Sequence, residues 1–327
     1  MVGPIGPVWS RQGPAYVPGS RQTRGAKVSA RPTISIGVPV YNGENFLEDA
    51  LRSLQGQSFE DFEVVVSDNA STDATGDIAA RFAAEDPRFR YLRNERNLGA
   101  NPNYNRTFAL ARGEYFRWHA HDDVCEPKYL ERCHDVLAAD RTAVLVHTRT
   151  SYIDRNGDPL VPMSRGFLDP DGYIERLGTD EGAPALLGDA RPHVRLDAIV
   201  NRLSVFFDVF GLARVEDLRR TLLLPSYYGA DKVFLAELAV QGRLVRLDEP
   251  GFSRRCHASA STRSASLKDL AKWSDAAQSG AALYPALMVR GYLGAIRNAD
   301  LRPGERRRCY AVVAKRAANP YKLLRGR

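Results

Sequence analysis

The run Thr33-Ile-Ser-Ile-Gly-Val-Pro-Val40 decides how the chain begins to fold. Its β-branched residues predict a buried strand, which Pro39 brings to an end. Leucines then recur at residues 47, 51 and 54, which is the spacing of one helical face. We therefore predict a strand, a loop and a helix in that order.

The same alternation continues as far as residue 147. We predict further strands at residues 62–67, 89–93, 115–118 and 143–147, and helices at residues 75–85, 103–111 and 128–138. Repeated strand–helix units predict a parallel, doubly wound sheet of the α/β class. Such sheets bind ligands beyond the carboxyl ends of their strands, so we expect the chemistry in the loops that follow the strands.

The remainder of the chain is less regular. Asp154-Arg-Asn-Gly157 predicts a hairpin within long irregular loops over residues 150–200. Helices are expected at about residues 215–222 and 231–241, a strand at residues 244–247, and helical structure from residue 267 onward.

The net charge of +7 is concentrated at the two ends of the chain. Residues 1–31 contain five basic residues and no acid, and residues 302–327 contain nine basic residues and one acid. The segment between them holds 32 basic and 38 acidic residues, which argues against a nucleic-acid-binding face on the globular part.

The chain shows neither an apolar run long enough to span a bilayer nor an apolar secretory signal. Its four cysteines are too sparse for a disulfide scaffold, so we expect a reducing, cytoplasmic location. His119, His121, Cys125, Cys133 and His134 raise the alternative of a zinc site, but their spacing matches no standard structural site.

Polar side chains follow three of the predicted strands, at residues 39–44, 67–73 and 119–123. The chain has neither the GxxxxGK[ST] pattern nor the GxGxxG pattern, which argues against P-loop NTPases and standard dinucleotide dehydrogenases. Without a glycine-rich cradle a bound diphosphate needs a cation. The adjacent carboxylates of Asp122 and Asp123 are the hard oxygen ligands that suit Mg²⁺ or Mn²⁺.

These segments resemble the inverting family 2 glycosyltransferases, which have the GT-A fold. The resemblance covers roughly residues 33–260. It is carried, in the family's order and spacing, by Val38-Pro-Val-Tyr-Asn42, Val65-Val-Ser-Asp-Asn-Ala-Ser-Thr-Asp73, Asn97-Leu-Gly99, Ala111-Arg-Gly-Glu-Tyr115 and Asp122-Asp123. It implies a Rossmann-like mixed sheet flanked by helices, with a C-terminal helical extension.

The resemblance also implies roles for individual residues. Asp122, with Asp123 beside it, would hold Mn²⁺ or Mg²⁺, and Asp231 would be the catalytic base. Arg255 or His257, in a segment similar to the family's Arg-Arg-x-His, would hold the departing diphosphate or the metal. The remaining donor-binding candidates are Pro39, Tyr41, Asn42, Glu44, Asp68, Asn97 and His121.

One position departs from the family pattern, and several candidates have simpler explanations. The first acid of the family's Asp-x-Asp motif is Ala120 in this chain. Asp231 would also serve as a helix N-cap, and Asp68 and Asp73 are residue types that form turns whatever the function.

The resemblance implies an inverting transfer of a sugar from a nucleotide-diphosphate donor to a hydroxyl acceptor in a glycan, cell envelope or lipid-linked molecule. The alternative is a non-catalytic nucleotide-sugar binder or scaffold within a glycan-assembly complex. A nucleotidyltransferase is disfavoured because the chain lacks the glycine-rich N-terminal phosphate loop of those enzymes.

We divide the chain into a disordered basic leader (1–31), a catalytic domain (32–265) and a basic helical extension (266–327). The catalytic domain would comprise a nucleotide-sugar half (32–148) and an acceptor half (149–265). The basic C-terminus either forms a solvated helix face or rests on an anionic membrane, which would make the protein peripheral at the inner face of the cell membrane.

Overall fold

The computed structural model describes residues 31–160, 162–163, 166–168, 174–175, 183–203, 207–257, 267–275 and 284–318. The predicted leader, residues 1–31, lies outside them except for its last residue. Within the described residues the chain forms a mixed eight-stranded sheet with strand order β3-β2-β1-β4-β10-β6-β11-β5. Its strands are β1 (Ile34–Val40), β2 (Phe62–Asp68), β3 (Phe89–Arg93), β4 (Tyr115–Trp118), β5 (Val124–Cys125), β6 (Ala143–Ile153), β10 (Leu212–Arg214) and β11 (Arg243–Arg255).

A second sheet of three short antiparallel strands contains β7 (Pro162–Met163), β8 (Gly166–Leu168) and β9 (Ile174–Glu175). The α-helices are α1 (Leu47–Gln55), α2 (Thr75–Glu85), α3 (Ala100–Ala109), α4 (Tyr129–Ala139), α5 (Ala183–Leu187), α6 (Pro192–Asp197), α7 (Val215–Leu218), α8 (Ala230–Gln241), α9 (Leu267–Ser274), α10 (Tyr284–Asn298) and α11 (Pro303–Ala317). A π-helical turn covers Ala198–Arg202, and a 3₁₀ turn covers Phe207–Phe210.

The four strands β3, β2, β1 and β4 are parallel, as the alternation of strands and helices predicts. The rest of the sheet is not: β10 runs antiparallel to both β4 and β6, and β5 runs antiparallel to β11. The entirely parallel sheet expected from the alternation is therefore wrong, and the mixed sheet is correct. Strands β5 and β10 have only two and three residues, too few to show a period in the sequence.

The buried apolar residues of β1 and α1 form the core beneath the carboxyl edge of the sheet. Every residue of β1 is buried, and Leu47, Leu51 and Leu54 of α1 are fully buried against it. Burying one leucine side chain contributes about 1.5–3 kcal/mol to folding, so this face anchors the loop between the two elements.

Helix α3 begins three residues earlier than predicted. Gly99, with φ 88°, ends the preceding loop in a backbone conformation that favours glycine, and the helix starts at Ala100. Pro102 lies in the first turn, where a missing backbone N–H breaks no helical hydrogen bond.

Residues 150–200 contain more structure than predicted. The expected hairpin at Asp154–Gly157 is present, since Gly157 N–H donates to the Asp154 carbonyl at 3.1 Å and Ile153 pairs antiparallel with Pro159. Helices α5 and α6, however, lie where irregular loops were expected.

The C-terminal helices pack on helices α6 and α8 and on each other. Helix α10 lies against α8, and α11 lies against α6 and α10. Arg306 of α11 donates to the carbonyl oxygens of Ile296, Arg297 and Ala299 at 2.9–3.0 Å, and so caps the end of α10.

Candidate functional site

Three loops meet at the carboxyl edge of the sheet because β1, β2 and β4 end there side by side. Val40 is paired with Asp68 across β1 and β2, and Gly37 is paired with Trp118 across β1 and β4. The three polar segments recognised in the sequence therefore lie next to one another.

The loops after β1 and β2 are hydrogen-bonded to each other. The Asn42 side-chain oxygen accepts from Thr72 N–H at 2.8 Å, and the Glu44 carboxylate accepts from Ala74 N–H at 2.9 Å. Asn42 has φ 49°, a left-handed conformation that asparagine tolerates. These bonds fix the loop so that the Tyr41 ring, 46% exposed, projects from the edge where a base could stack.

Asp68 is fully buried at the end of β2. One carboxylate oxygen accepts from the Tyr91 hydroxyl at 2.9 Å and from the Arg93 guanidinium at 2.8 Å, and the other accepts from Ser71 N–H at 2.8 Å. Asp68 thus holds the loop after β2 in place. The sequence analysis missed Tyr91 and Arg93, although their spacing of two residues puts both on one face of β3.

Asn97 belongs to a network of asparagine side chains. Its oxygen accepts from Asn69 Nδ2 at 2.9 Å and from Gly99 N–H at 2.8 Å. Asn94 in turn donates to the Asn69 oxygen at 2.9 Å. This network joins the loop after β2 to the start of α3.

Asp122 and His257 lie together, although 135 residues separate them in the chain. His257 Nε2 is 3.0 Å from Asp122 Oδ2. Burial disfavours the ionised form of Asp122, but the nearby His121, the hydrogen bond with His257 and the charge of Arg254 outweigh it and hold the Asp122 pKa below its usual range. Asp122 is therefore a carboxylate at neutral pH.

Asp123 points into the protein. Its Oδ1 accepts from Arg255 N–H at 3.0 Å, and its carbonyl oxygen is 3.1 Å from His119 Nε2. Burial and the adjacent Asp122 charge raise the Asp123 pKa to about 7. This geometry favours Asp122 over Asp123 as the metal ligand.

Arg255 is 2% exposed, and its guanidinium is surrounded by protein oxygens. It donates at 3.0 Å to the Asp122 carbonyl, the Arg155 carbonyl and the Asp49 carboxylate. These bonds favour a role in holding the Asp122-Asp123 turn, whereas His257 lies beside the carboxylate itself.

Asp231 occupies the first turn of α8, directly after Gly229 and Ala230. Gly229 has φ 84°, which only glycine adopts readily, and this sharp turn orients the start of the helix. Burial raises the pKa of Asp231, although the charge of Lys232 opposes the shift.

Tyr104 of α3 packs against Trp118, at the end of β4. Burial raises the pKa of the Tyr104 phenol, and the charges of Asp122, Asp123 and Asp231 add to that shift. The charges of all three carboxylates therefore act on one phenol. Tyr104 was not among the predicted site residues, because nothing in the sequence pattern of α3 indicates this environment.

Within the described residues no three Asp, Glu, His or Cys side chains come together as a metal site. Ala120, at the position of the missing first acid, is buried in the core and offers no ligand. The Asp122 carboxylate and the His257 imidazole are nevertheless adjacent donors. Because Mg²⁺ and Mn²⁺ often take one or two protein ligands and complete their shell with water and substrate phosphates, this pair fits such an ion.

Comparison with known proteins identifies the domain that builds this edge. Residues 35–183 match the family model described as glycosyl transferase family 2. This segment is a family 2 glycosyltransferase domain. Within it lie the loops after β1, β2 and β4 and the Asp122-Asp123 pair, so the predicted family is confirmed on the part of the chain that carries the resemblance.

Curated relatives match less than half of the chain. A chondroitin synthase of Escherichia coli is 32% identical over 146 residues, which are 45% of this chain and 21% of that protein. The chain spans less than half the length of the curated relatives it matches.

Solved structures extend the likeness to the whole fold. S. aureus TarS 1–349 in complex with UDP-GlcNAc has a TM-score of 0.57 at 21% identity, over 87% of this chain and 72% of that one. The mannosyltransferase PcManGT from Pyrobaculum calidifontis, in complex with GDP-Man and Mn²⁺, has a TM-score of 0.54 at 18% identity, over 92% and 75%. The GT-A fold with its helical C-terminal region is thereby confirmed.

Across the described part of the chain, none of the helices is both long enough and apolar enough to cross a membrane.

Proposed function

We propose that the chain is an inverting glycosyltransferase that moves a sugar from a nucleotide-diphosphate donor to a hydroxyl acceptor. The observation that carries the proposal is the Asp122 carboxylate 3.0 Å from His257 Nε2, together with a second carboxylate, Asp231, in the first turn of α8. A metal-binding carboxylate and a separate carboxylate base are the two groups that this reaction needs.

The family and the neighbours support the donor class. The loops after β1 and β2 offer the Tyr41 ring and the side chains of Asn42 and Glu44 for the base and ribose, and Asp68 and Asn97 support those loops from within. TarS with UDP-GlcNAc and PcManGT with GDP-Man have the same fold. We therefore expect a nucleotide sugar along this edge, held also by Pro39 and His121.

Asp231 would take the proton of the acceptor hydroxyl. The acceptor oxygen then forms a bond to the anomeric carbon while the bond from that carbon to the diphosphate breaks, so the configuration inverts. Because burial raises the Asp231 pKa, its carboxylate is a stronger base than an exposed aspartate, and such a base contributes about 10²–10⁴-fold in rate.

Asp122 and His257 would hold the divalent ion, with Asp123 beside them and Arg255 keeping the Asp122-Asp123 turn in place. When bound, Mn²⁺ or Mg²⁺ offsets the negative charge that develops on the leaving nucleoside diphosphate. The His121 ring lies against Gly43, in the loop after β1.

The test is Asp231→Asn, measured as release of nucleoside diphosphate from the donor in the presence of Mn²⁺. Thermal-shift screening with UDP-, GDP- and TDP-sugars identifies the donor, since a ligand that binds the native state raises its melting temperature. Asp231→Asn should lose turnover while nucleotide–Mn²⁺ affinity persists, and near-normal turnover would remove Asp231 from the mechanism. Asp77→Asn, an exposed acid in the first turn of α2, is the matched control.

A non-catalytic binder or scaffold is the second candidate, favoured by Ala120 in place of an acid. The same assay separates the two. A binder would bind nucleotide saturably and release no nucleoside diphosphate, whereas the transferase hydrolyses its donor slowly with water as acceptor.

We also propose that the basic face of α11 rests on an anionic membrane near a lipid-linked acceptor. Arg307, Arg308 and Lys315 are exposed on this helix, and each basic residue near such a surface contributes about 1 kcal/mol. Arg306 is excluded from this set because it caps α10.

A further inference from the structure

The loop that precedes the proposed base is held by two asparagines of a distant helix. We call residues 224–229 the base loop, since they lead through Gly229 into the first turn of α8 and Asp231. Asn101 Nδ2 donates to the carbonyl oxygens of Pro225 at 2.7 Å and Tyr227 at 3.0 Å.

Asn105, one helical turn further along α3, makes a reciprocal pair with the same loop. Its Nδ2 donates to the Leu224 carbonyl at 2.8 Å, and its Oδ1 accepts from Leu224 N–H at 3.1 Å. Residues four apart share one helical face, so Asn101 and Asn105 together bind the loop backbone at Leu224, Pro225 and Tyr227. Asn101 is 6% exposed, and losing it would leave loop carbonyls without these donors.

Another side of α3 contacts β2 and the loop that follows it. Asn103 Nδ2 donates to the carbonyl of Ser67, in β2, at 2.8 Å, and its Oδ1 accepts from the Ser67 hydroxyl at 2.7 Å. Gly99, the residue directly before the helix, accepts at its carbonyl from Asn69 at 3.1 Å. Helix α3 therefore connects the loop that follows β2 directly to the base loop.

We infer that Asn101 and Asn105 are positioning residues that fix Asp231 relative to the donor and so set its distance to the reacting carbon. The inference rests on the proposed function, because it takes Asp231 as the base. Displacement of a reacting group by about 1 Å can cost up to about 10²-fold in rate, so removing these bonds should act on turnover and spare donor affinity.

The experiment compares Asn101→Ala and Asn105→Ala with Asn201→Ala in the full-length chain. Asn201 is a matched control because its side chain also donates to two protein oxygens, of Asp197 and Val312, and the site described above does not include it. The probes are UDP-GlcNAc and GDP-Man with MnCl₂. We expect kcat for nucleoside diphosphate release to fall about 10-fold in the two α3 variants, with KM for the donor within about 2-fold.

Two further measurements separate positioning from loss of stability. A loosened base loop admits water to Asp231, so the acid limb of the pH profile should move to lower pH in both α3 variants and stay in place in Asn201→Ala. Hydrogen exchange of residues 224–231, which needs no substrate, should be faster in the α3 variants than in the control.

Unchanged exchange in this segment, or a kcat loss equal to that of Asn201→Ala, overturns the inference. An acid limb that does not move while Asp231→Asn is inactive overturns it and leaves the proposed function standing. Turnover by Asp231→Asn, in contrast, overturns the proposed base.

Discussion

His257 Nε2 lies 3.0 Å from Asp122 Oδ2, which joins the end of β11 to the turn after β4. The Phe46 ring packs 4.5 Å from the His257 ring and confines it to this position. Asp122 lies within residues 35–183, which match the family 2 model, and His257 lies outside them. The pair is therefore a direct contact between the matched segment and the rest of the chain.

We predict that His257→Ala weakens the response to Mn²⁺ more than it weakens metal-free nucleotide binding. The imidazole is one of the two adjacent donors, so the variant should need a higher Mn²⁺ concentration for half-maximal turnover. Turnover at a series of MnCl₂ concentrations measures this half-maximal value. Titration calorimetry with and without MnCl₂ measures nucleotide binding. His134→Ala, on α4, is the control, and equal Mn²⁺ dependence in both variants would contradict the assignment.

The pH dependence of turnover should report Asp231. A base works only when ionised, and burial raises the pKa of this carboxyl, so activity should fall on acidification at a higher pH than an ordinary aspartate would cause. A profile of kcat/KM between pH 4 and pH 9 measures the limb. The contrary result would be a profile with no complete acid limb in this range, as expected for the usual aspartate pKa of about 3.9.

The contact between α10 and α8 should be sensitive to one methyl group. A Cβ on Gly291 would lie 2.6 Å from Cγ1 of Val233, in α8. A Cβ on Gly294 would have no heavy atom within 4 Å. Gly291→Ala should lower the free energy of unfolding by about 1–3 kcal/mol through overpacking and reduce turnover.

Gly294→Ala, in the same helix, serves as the matched control. It should raise the free energy of unfolding by about 0.5–1 kcal/mol, because alanine favours the helix over glycine. Urea denaturation of both variants measures the difference. Equal effects would show that α10 does not press against α8 at Gly291.

Glu237 of α8 should make stability depend on pH. It is 4% exposed, and burial raises its pKa to about 7, although the hydrogen bond from Leu222 N–H opposes the shift. Because the pKa of Glu237 is raised on folding, its contribution to the free energy of unfolding is fully present below the pKa of glutamate in the unfolded chain, about 4.3. This contribution is lost as the pH rises toward 7.

Glu237→Gln should therefore raise the free energy of unfolding by about 2 kcal/mol at pH 8 and have little effect at pH 4. The glutamine oxygen can still accept from Leu222 N–H. Urea denaturation at the two pH values, with exposed Glu85→Gln as control, is the measurement. The opposite pH trend would show that Glu237 is stabilised as a carboxylate.

The membrane proposal is best tested by point variants. Truncation before α11 would remove the buried Cys309 and Val313, expose the surface that they cover, and remove the Arg306 cap of α10. The triple variant Arg307→Ala, Arg308→Ala, Lys315→Ala keeps that packing. It should float less with vesicles containing phosphatidylglycerol than the unaltered chain does, and neither should float with phosphatidylcholine alone. Equal flotation would contradict the proposal.

Local sequence patterns were enough to predict the start of the sheet and the family. Strands β1 to β4 and helices α1 and α2 follow their hydrophobic periods, because each element buries one continuous set of side chains at regular spacing. The motifs at residues 38–42, 65–73 and 122–123 also fixed where the polar loops lie along the chain.

Which of these polar residues contact one another depends on long-range packing, and no local pattern predicted it. Asp122 and His257 are 135 residues apart in the chain, and Asn101 and Pro225, which are joined by a hydrogen bond, are 124 residues apart. No local sequence pattern links residues at such separations. The roles of Asp123 and Arg255 also depended on burial, which turns both side chains toward protein partners. Local spacing sets the elements, whereas long-range packing selects the partners of each charged or amide side chain.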